Sequence, residues 1–316
     1  MRSQRVVAVV VAYNRRDLLA EVLDALSVQS RPVDALVIVD NASSDGSGDV
    51  VRDRAPEATL ISLSRNTGGA GGFTVGMAAA LARHSPDWIW VMDDDTIPDA
   101  GALDGLIGAA NAYQGDDLLA LGSRVLWTEG SEHPMNTPRR NPFATRREIG
   151  RAAAVASSPV RSLSFVSSMY RADAVERWGL PVADYFLWND DFEFSARILR
   201  HGTGLSVPAS TVVHKTKALA STDTDPGERF YLEVRNKLWL FRTSRALSLG
   251  EKAVYIGASI VRWTRTFFRS ADRTTLRRGL RTGLRDGLRT RPSRNQASLS
   301  GAGVPADVLA VLGRLR

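Results

Sequence analysis

The sequence predicts an α/β protein, with a mostly parallel sheet flanked by helices and a helical, amphipathic C-terminal region. Two observations carry this. In the first hundred residues, short runs rich in Val, Ile and Trp alternate with stretches of helical periodicity, the pattern of βαβ units. Beyond Leu249 the chain turns helical and arginine-rich up to Pro292. Its 316 residues, 44% hydrophobic and 24% charged, are ordinary globular values at a length that supports a sizeable core.

Val6–Ala12, Ala35–Val39, Thr59–Leu63 and Trp88–Met92 read as strands. Arg16–Val28 puts Leu18, Leu19, Val22, Leu23 and Leu26 on one helical face, and Asp45–Arg54 and Gly71–Arg83 follow as helices. Residues 127–160, with His133-Pro134, Thr137-Pro138 and Asn141-Pro142 among scattered arginines, read as an irregular insertion or lid. Order resumes with Ser162–Met169, a helix after Arg171, a strand over Leu205–Val213 and a helix from near Pro226. This divides the chain into a catalytic domain, 1–245, and a basic helical region, 246–316, in which a polar stretch, Ser293 to Gly303, precedes a last short helix.

Composition narrows the function classes. The cysteine count of zero excludes disulfide frameworks, zinc ribbons and thiol catalysis. No apolar stretch is long enough to cross a bilayer, and the N-terminus has no signal-peptide pattern, so a cytoplasmic location is expected. The net charge of +7 is local: Arg262 to Arg294 holds eleven Arg and two Asp, leaving a slightly acidic body. A confined basic patch suits an anionic surface better than it suits nucleic acid.

In parallel sheets ligands bind beyond the carboxyl ends of the strands. The first strand ends in Ala12-Tyr13-Asn14-Arg15 and the second in Asp40-Asn41. Asp40 stands where a carboxylate accepts from a nucleobase or ribose, although turn and N-cap roles account for such residues equally well. Arg65-Asn66-Thr67-Gly68-Gly69-Ala70-Gly71-Gly72 lets backbone N–H groups approach a ligand at a helix N-terminus, with tight helix–strand packing as the alternative. Asp93-Asp94-Asp95 follows a buried strand, where three carboxylates repel unless a cation neutralises them; hard oxygen ligands suit Mg²⁺ or Mn²⁺. Asp190 and Asp191, among the aromatics of Tyr185–Phe194, suit a general base. Trp188 is placed to stack on a sugar ring, and His214, ending a strand, to complete a metal site.

As a set, these motifs resemble the inverting family 2 glycosyltransferases of the GT-A (Rossmann-like) fold over roughly residues 5 to 245. They are most similar to the actinobacterial galactofuranosyltransferases of cell-wall galactan synthesis, a likeness that Phe230–Lys237 shares. The resemblance implies a UDP-sugar donor held by Ala12, Tyr13, Asp40, Arg65, Asn66, Gly68, Gly69, Asp93 and Asp94. It also implies a divalent cation, Mn²⁺ or Mg²⁺, on Asp95, Asp93 and His214, and a base at Asp191 assisted by Asp190. Family members often carry Glu-Asp at the latter pair, so which carboxylate is the base stays open. Trp188 and Glu193 would face the acceptor, a lipid-linked (polyprenyl-diphosphate) saccharide.

In the C-terminal region Leu276, Leu280, Leu284 and Leu288 recur every fourth residue, with glycines and arginines in the same rhythm. This suits an interfacial helix, so residues 253–294 are expected to rest on an anionic membrane, peripheral to its inner face. Core packing or a homo-oligomer contact is the alternative. Rival functions are a rhamnosyltransferase with a dTDP donor, a catalytically silent sugar-nucleotide or glycan-binding protein, and a nucleic-acid module. The last is disfavoured because the arginines accompany leucines rather than stacking aromatics.

Overall fold

The fold comes from a computed structural model that describes residues 4–216 and 225–315; the ends of the two expected regions, 1–3 and 316, and residues 217–224 lie outside it. The strands are β1 (Val6–Ala12), β2 (Ala35–Asp40), β3 (Thr59–Ser62), β4 (Trp88–Asp93), β5 (Thr96–Pro98), β6 (Leu118–Leu126), β7 (Arg139–Arg140), β8 (Ser158–Ser162), β9 (Ser167–Arg171) and β10 (Thr203–His214). They form one mixed sheet in the order β3-β2-β1-β4-β9-β6-β10-β8-β7, with β5 pairing to β10. β3, β2, β1 and β4 run parallel, as do β6 and β10, while β9 is antiparallel between β4 and β6.

The helices are α1 (Arg16–Ser27), α2 (Ser47–Arg54), α3 (Gly68–His84), α4 (Ala102–Ala112), α5 (Arg146–Ala154), α6 (Ala172–Trp178), α7 (Asp190–Ile198), α8 (Phe230–Thr243), α9 (Leu249–Arg269), α10 (Arg273–Arg289), α11 (Asn295–Ser298) and α12 (Ala306–Arg314). β1 is buried on both faces, so it reads as an unbroken apolar run. Val7, Val9 and Val11 pack under α3, while Val6, Ala8 and Val10 pack under α1 and α4. The first four strands and three helices fall where the sequence places them, except that α3 starts three residues earlier, taking in Gly68–Ala70.

Three expectations change. The insertion is not wholly irregular: it carries β7 and α5, and α5 is opened by a capping box in which Thr145 and Glu148 satisfy each other's backbone N–H. Ser162–Met169 is not one element but the junction of β8 and β9. The α10 leucine stripe does not all face outward. Leu276 is fully buried with Phe230 and Val234 of α8, and Gly279, Gly283 and Gly287 let the two helices touch. A Cβ at Gly283 would lie 2.8 Å from Val234 Cβ.

The C-terminal region is built onto the sheet domain. Leu299, Val304, Val308, Leu312 and Leu315 enter the same core as Phe73 and Val75 of α3. α9 is docked at its first turn by the buried ion pair Arg161–Glu251, 2.7 Å. Among the described residues no helix is long and apolar enough to cross a membrane.

Candidate active site

The acidic triplet sits at the carboxyl end of β4, beside the ends of β1 and β2. Asp94 accepts from the Tyr13 backbone N–H at 2.8 Å and from Arg15 at 3.0 Å, and the same guanidinium bonds Asp95. β5 turns back after the triplet and pairs antiparallel with β10, matching His214 to Thr96. That pairing brings a residue from far along the chain to Asp95. Asp93, Asp95 and His214 can each offer a ligand atom, all within 4.8 Å of one another.

The residues present fit a cation. Asp95 Oδ1 is buried without a hydrogen-bond partner, with His214 Nε2 3.1 Å away. His214 Nδ1 lies 3.0 Å from Asn136 Oδ1. An Nδ1–H donating there leaves the Nε2 lone pair turned toward a carboxylate oxygen, an arrangement that a metal ion resolves.

Burial, and then Asp95, push Asp93 up to about 7. Burial also raises Asp94, to about 6 against the pull of Arg15. For Asp95, burial is outweighed by His214 and Arg15, which together hold it below the ordinary range. An acid raised in the fold costs stability as it ionises, so the ion-free protein loses stability as pH climbs from the ordinary carboxylate range toward about 7. Protons and cation compete for Asp93, and Mn²⁺ affinity measured by calorimetry is therefore expected to rise with pH and flatten above about 7.

The second cluster opens α7. Asp190 is buried and Asp191 half-buried. Burial first, then Asp191, raises Asp190 well above the ordinary range. Burial raises Asp191 too, against the Phe192 N–H and the nearby Arg139. The loop before them is strained: Phe186, Trp188 and Asn189 have φ of 62°, 69° and 65°, each costing about 1–2 kcal/mol for an ordinary L-residue. Asn236 of α8, fully buried, holds this loop by directing its amide nitrogen at the carbonyls of Tyr185, Leu187 and Trp188, at 2.8–2.9 Å. The Phe186 carbonyl accepts from Ala70 N–H, and a Cβ at Gly68 would lie 2.0 Å from it, so only glycine fits there.

Both clusters line one cavity of about 870 Å³, to which Asp93 and His214 contribute from the ends of β4 and β10 and Asp190 and Asp191 from the start of α7. Gly69 and Trp188 also line it, as do Met135–Arg139 of the insertion and one face of α9. Among the glycines, Gly71, Gly72 and Gly76 serve packing: an added Cβ would meet Thr67, Val11 and Val9. Gly69 alone of this run has open space before it and faces the cavity.

Other expected residues lie around the strand ends. Ala12 is buried opposite Asp40, and Tyr13 is exposed. Asp40 Oδ1 accepts from Ser43 N–H, and Asn41 ties the end of β2 to Thr67 and Gly68. Asn66 is engaged with the Gly68 N–H. Arg65, expected near the nucleotide, is exposed and donates to the Ser298 carbonyl at 2.7 Å. One expectation is corrected, that for Glu193. Glu193 does not face the cavity; it is 3% exposed, paired with Arg197 at 2.9 Å and bonded by Ser244.

Sequence reasoning missed Arg15, Asn136, Glu233, Asn236 and Lys237. Arg15 and the three α8 residues stand in motifs quoted for the resemblance without a role. Asn136, inside the insertion, carries no local signal.

The model of glycosyl transferase family 2 matches residues 7–179. The chain belongs to this family. It is a glycosyltransferase of the GT-A fold. Galactofuranosyltransferase GlfT1 of Mycolicibacterium smegmatis is 34% identical over 207 residues, covering 63% of this chain and 67% of that protein. An N-acetylglucosaminyl-diphospho-decaprenol L-rhamnosyltransferase of Mycobacterium tuberculosis is 26% identical, covering 69% and 78%. Among solved structures, S. aureus TarS 1-349 in complex with UDP superposes with a TM-score of 0.61 at 14% identity, covering 98% of this chain and 90% of that one, a likeness of fold.

Proposed function

We propose that this glycosyltransferase moves galactofuranose from its UDP donor, with inversion, onto a polyprenyl-diphosphate-linked saccharide in cell-wall galactan synthesis. The observation that carries the reading is one cavity lined both by members of a cation-binding set and by a carboxylate pair. A divalent ion on Asp93, Asp95 and His214 would offset the charge of the departing diphosphate. Ala12, Tyr13, Asp40, Gly68, Gly69 and Asp94 would bind the nucleotide and its sugar, with exposed Tyr13 offering a ring beside the triplet. Inversion needs one base on the face opposite the leaving group. Asp191 takes that role, because it is the more accessible carboxylate and Asp190 is the one its charge pushes further up. Asp190 orients the acceptor hydroxyl, and Trp188 supplies an apolar face for a sugar ring. The choice of galactofuranose over rhamnose rests on the higher identity to the galactofuranosyl relative.

Assay across UDP- and dTDP-sugars with a lipid-diphosphate-linked disaccharide acceptor is the direct test. Transfer from UDP-galactofuranose that stops on chelation is expected; transfer only from dTDP-rhamnose, or none from any donor, would refute the proposal.

A membrane-bound acceptor also explains α9, which is two-faced. Tyr255, Ser259, Arg262, Trp263 and Thr266 line the cavity, while Leu249, Val254, Ile256, Ile260, Val261 and Phe268 are exposed on the opposite side, as helical spacing requires. Beside it, Arg277, Arg281, Arg285 and Arg289 of α10 border a shallow groove with Leu280, Leu284 and Leu288. We assign these two helices to an anionic bilayer surface. Flotation with phosphatidylglycerol vesicles is expected to carry the wild type but not Val254→Glu/Phe268→Glu. Equal flotation of both would remove α9 from the contact.

A further inference from the structure

The cavity also carries a group of charged residues to which the donor and cation assignments give no role. Lys237 and Glu233 project from α8, Arg262 from α9, Arg229 from the turn before α8 and Arg139 from β7, and all five line the cavity. Glu233 is the carboxylate bonded within this group, and exposed Asp225 also lines the cavity. Glu233 is bonded by Arg262, stands 3.5 Å from Lys237 Nζ, and accepts from Asn189 and Trp263. Arg139 and Arg229 have no ion-pair partner among the described residues. Lys237 and Arg262 are half-buried around Glu233, while Arg139 and Arg229 are exposed and leave donors that an incoming anion can engage. The crowding registers at Lys237, driven down to about 8 by burial, partly offset by Glu233, and by the repulsion of Arg262 and Arg139.

We infer that Arg139, Arg229, Lys237 and Arg262 form a binding site for a diphosphate, the anionic linker of the lipid-borne acceptor. This deepens the proposed function and rests on it. Two features favour an acceptor diphosphate over the donor's. The acidic triplet takes its ion-pair partners, Arg15 and His214, from elsewhere, and none of the four cations is paired with it. Arg262 stands on the inner face of α9, whose outer face is the exposed apolar one. A prenyl diphosphate bound here has its charge against the basic wall and its hydrocarbon free to follow α9 outward. Its saccharide then extends along the cavity toward Asp191 and Trp188. Asn189, which donates to Glu233 at 3.0 Å, links the wall to the loop bearing the base.

The test is a calorimetric titration of the full chain, saturated with UDP and Mg²⁺, with farnesyl diphosphate, inorganic pyrophosphate and farnesol. Farnesyl diphosphate is expected to bind without displacing UDP, pyrophosphate more weakly, and farnesol at least about tenfold more weakly than farnesyl diphosphate. Arg229→Ala, an exposed position that leaves packing untouched, and Lys237→Met are each expected to weaken farnesyl diphosphate by about tenfold or more, the scale of a charge-assisted contact, with UDP affinity unchanged. Variants that bind farnesyl diphosphate like the wild type, displacement of UDP, or farnesol binding equally well would overturn the site. UDP binding without diphosphate recognition would overturn this inference alone. Failure to bind UDP would defeat the donor reading and this inference with it.

Discussion

Asp191→Asn is expected to lower transfer by about 10²- to 10⁴-fold, the usual contribution of a positioned base, while UDP binding persists. Asn keeps the shape, and its amide oxygen can still accept from Phe192 N–H at the α7 N-terminus, as Asp191 Oδ1 does at 2.6 Å. What it removes is the charge. Both carboxylates of the pair are raised by burial, so their ionisation costs the fold stability as pH climbs above the ordinary carboxylate range. The variant is therefore expected to be at least as stable as the wild type near neutrality, measured by denaturant unfolding. Loss of activity with unchanged or increased stability marks a residue retained for chemistry. Equal loss of transfer and UDP affinity in a folded variant would assign Asp191 to binding instead.

Asn236→Ala should give the opposite combination. One amide nitrogen faces three carbonyls of the strained loop, with no solvent to replace it. Removing it leaves buried acceptors unpaired, at a cost of about 1–3 kcal/mol, and frees Phe186, Trp188 and Asn189 to abandon their positive φ. The expected result is a lower unfolding midpoint and faster amide exchange at residues 186–190. Transfer should fall further than UDP affinity, because the loop carries Trp188 and leads into Asp190. Asn236→Asp should not rescue: it loses both N–H donors and sets a carboxylate against those same oxygens. Unchanged loop exchange in Asn236→Ala would mean that Arg235, whose guanidinium bonds the Asp184 and Tyr185 carbonyls, holds the loop by itself.

Legibility in the sequence followed the range of the interaction. The βαβ half was readable because β1, β2 and β4 are buried on both faces and their apolar runs are continuous. The acidic triplet was readable because a carboxylate cluster directly after such a run is anomalous on its own. Partnerships were not. His214 reaches Asp95 only because β5 pairs with β10, a contact that no local pattern records. Glu193 fits an acceptor-facing acid by type and neighbourhood, yet its helical position turns it to Arg197 four residues on. In α10 the leucine rhythm was visible, but the glycines in the same rhythm decide which side meets α8. The Thr145/Glu148 cap was written in the sequence and was obscured by the prolines around it.

The return of residues 299–315 to the core beneath α3 has a consequence for biosynthesis. α3 begins at the glycine run that borders the donor end of the cavity, yet its outer surface is sealed by the last segment described. While that segment is still within the ribosome, Phe73, Val75 and their neighbours lack part of their apolar cover, so the donor half reaches its final packing only after the segment has emerged. Contacts of such long sequence separation close slowly, and until they close the nascent chain presents a sticky flank that a chaperone would need to shield.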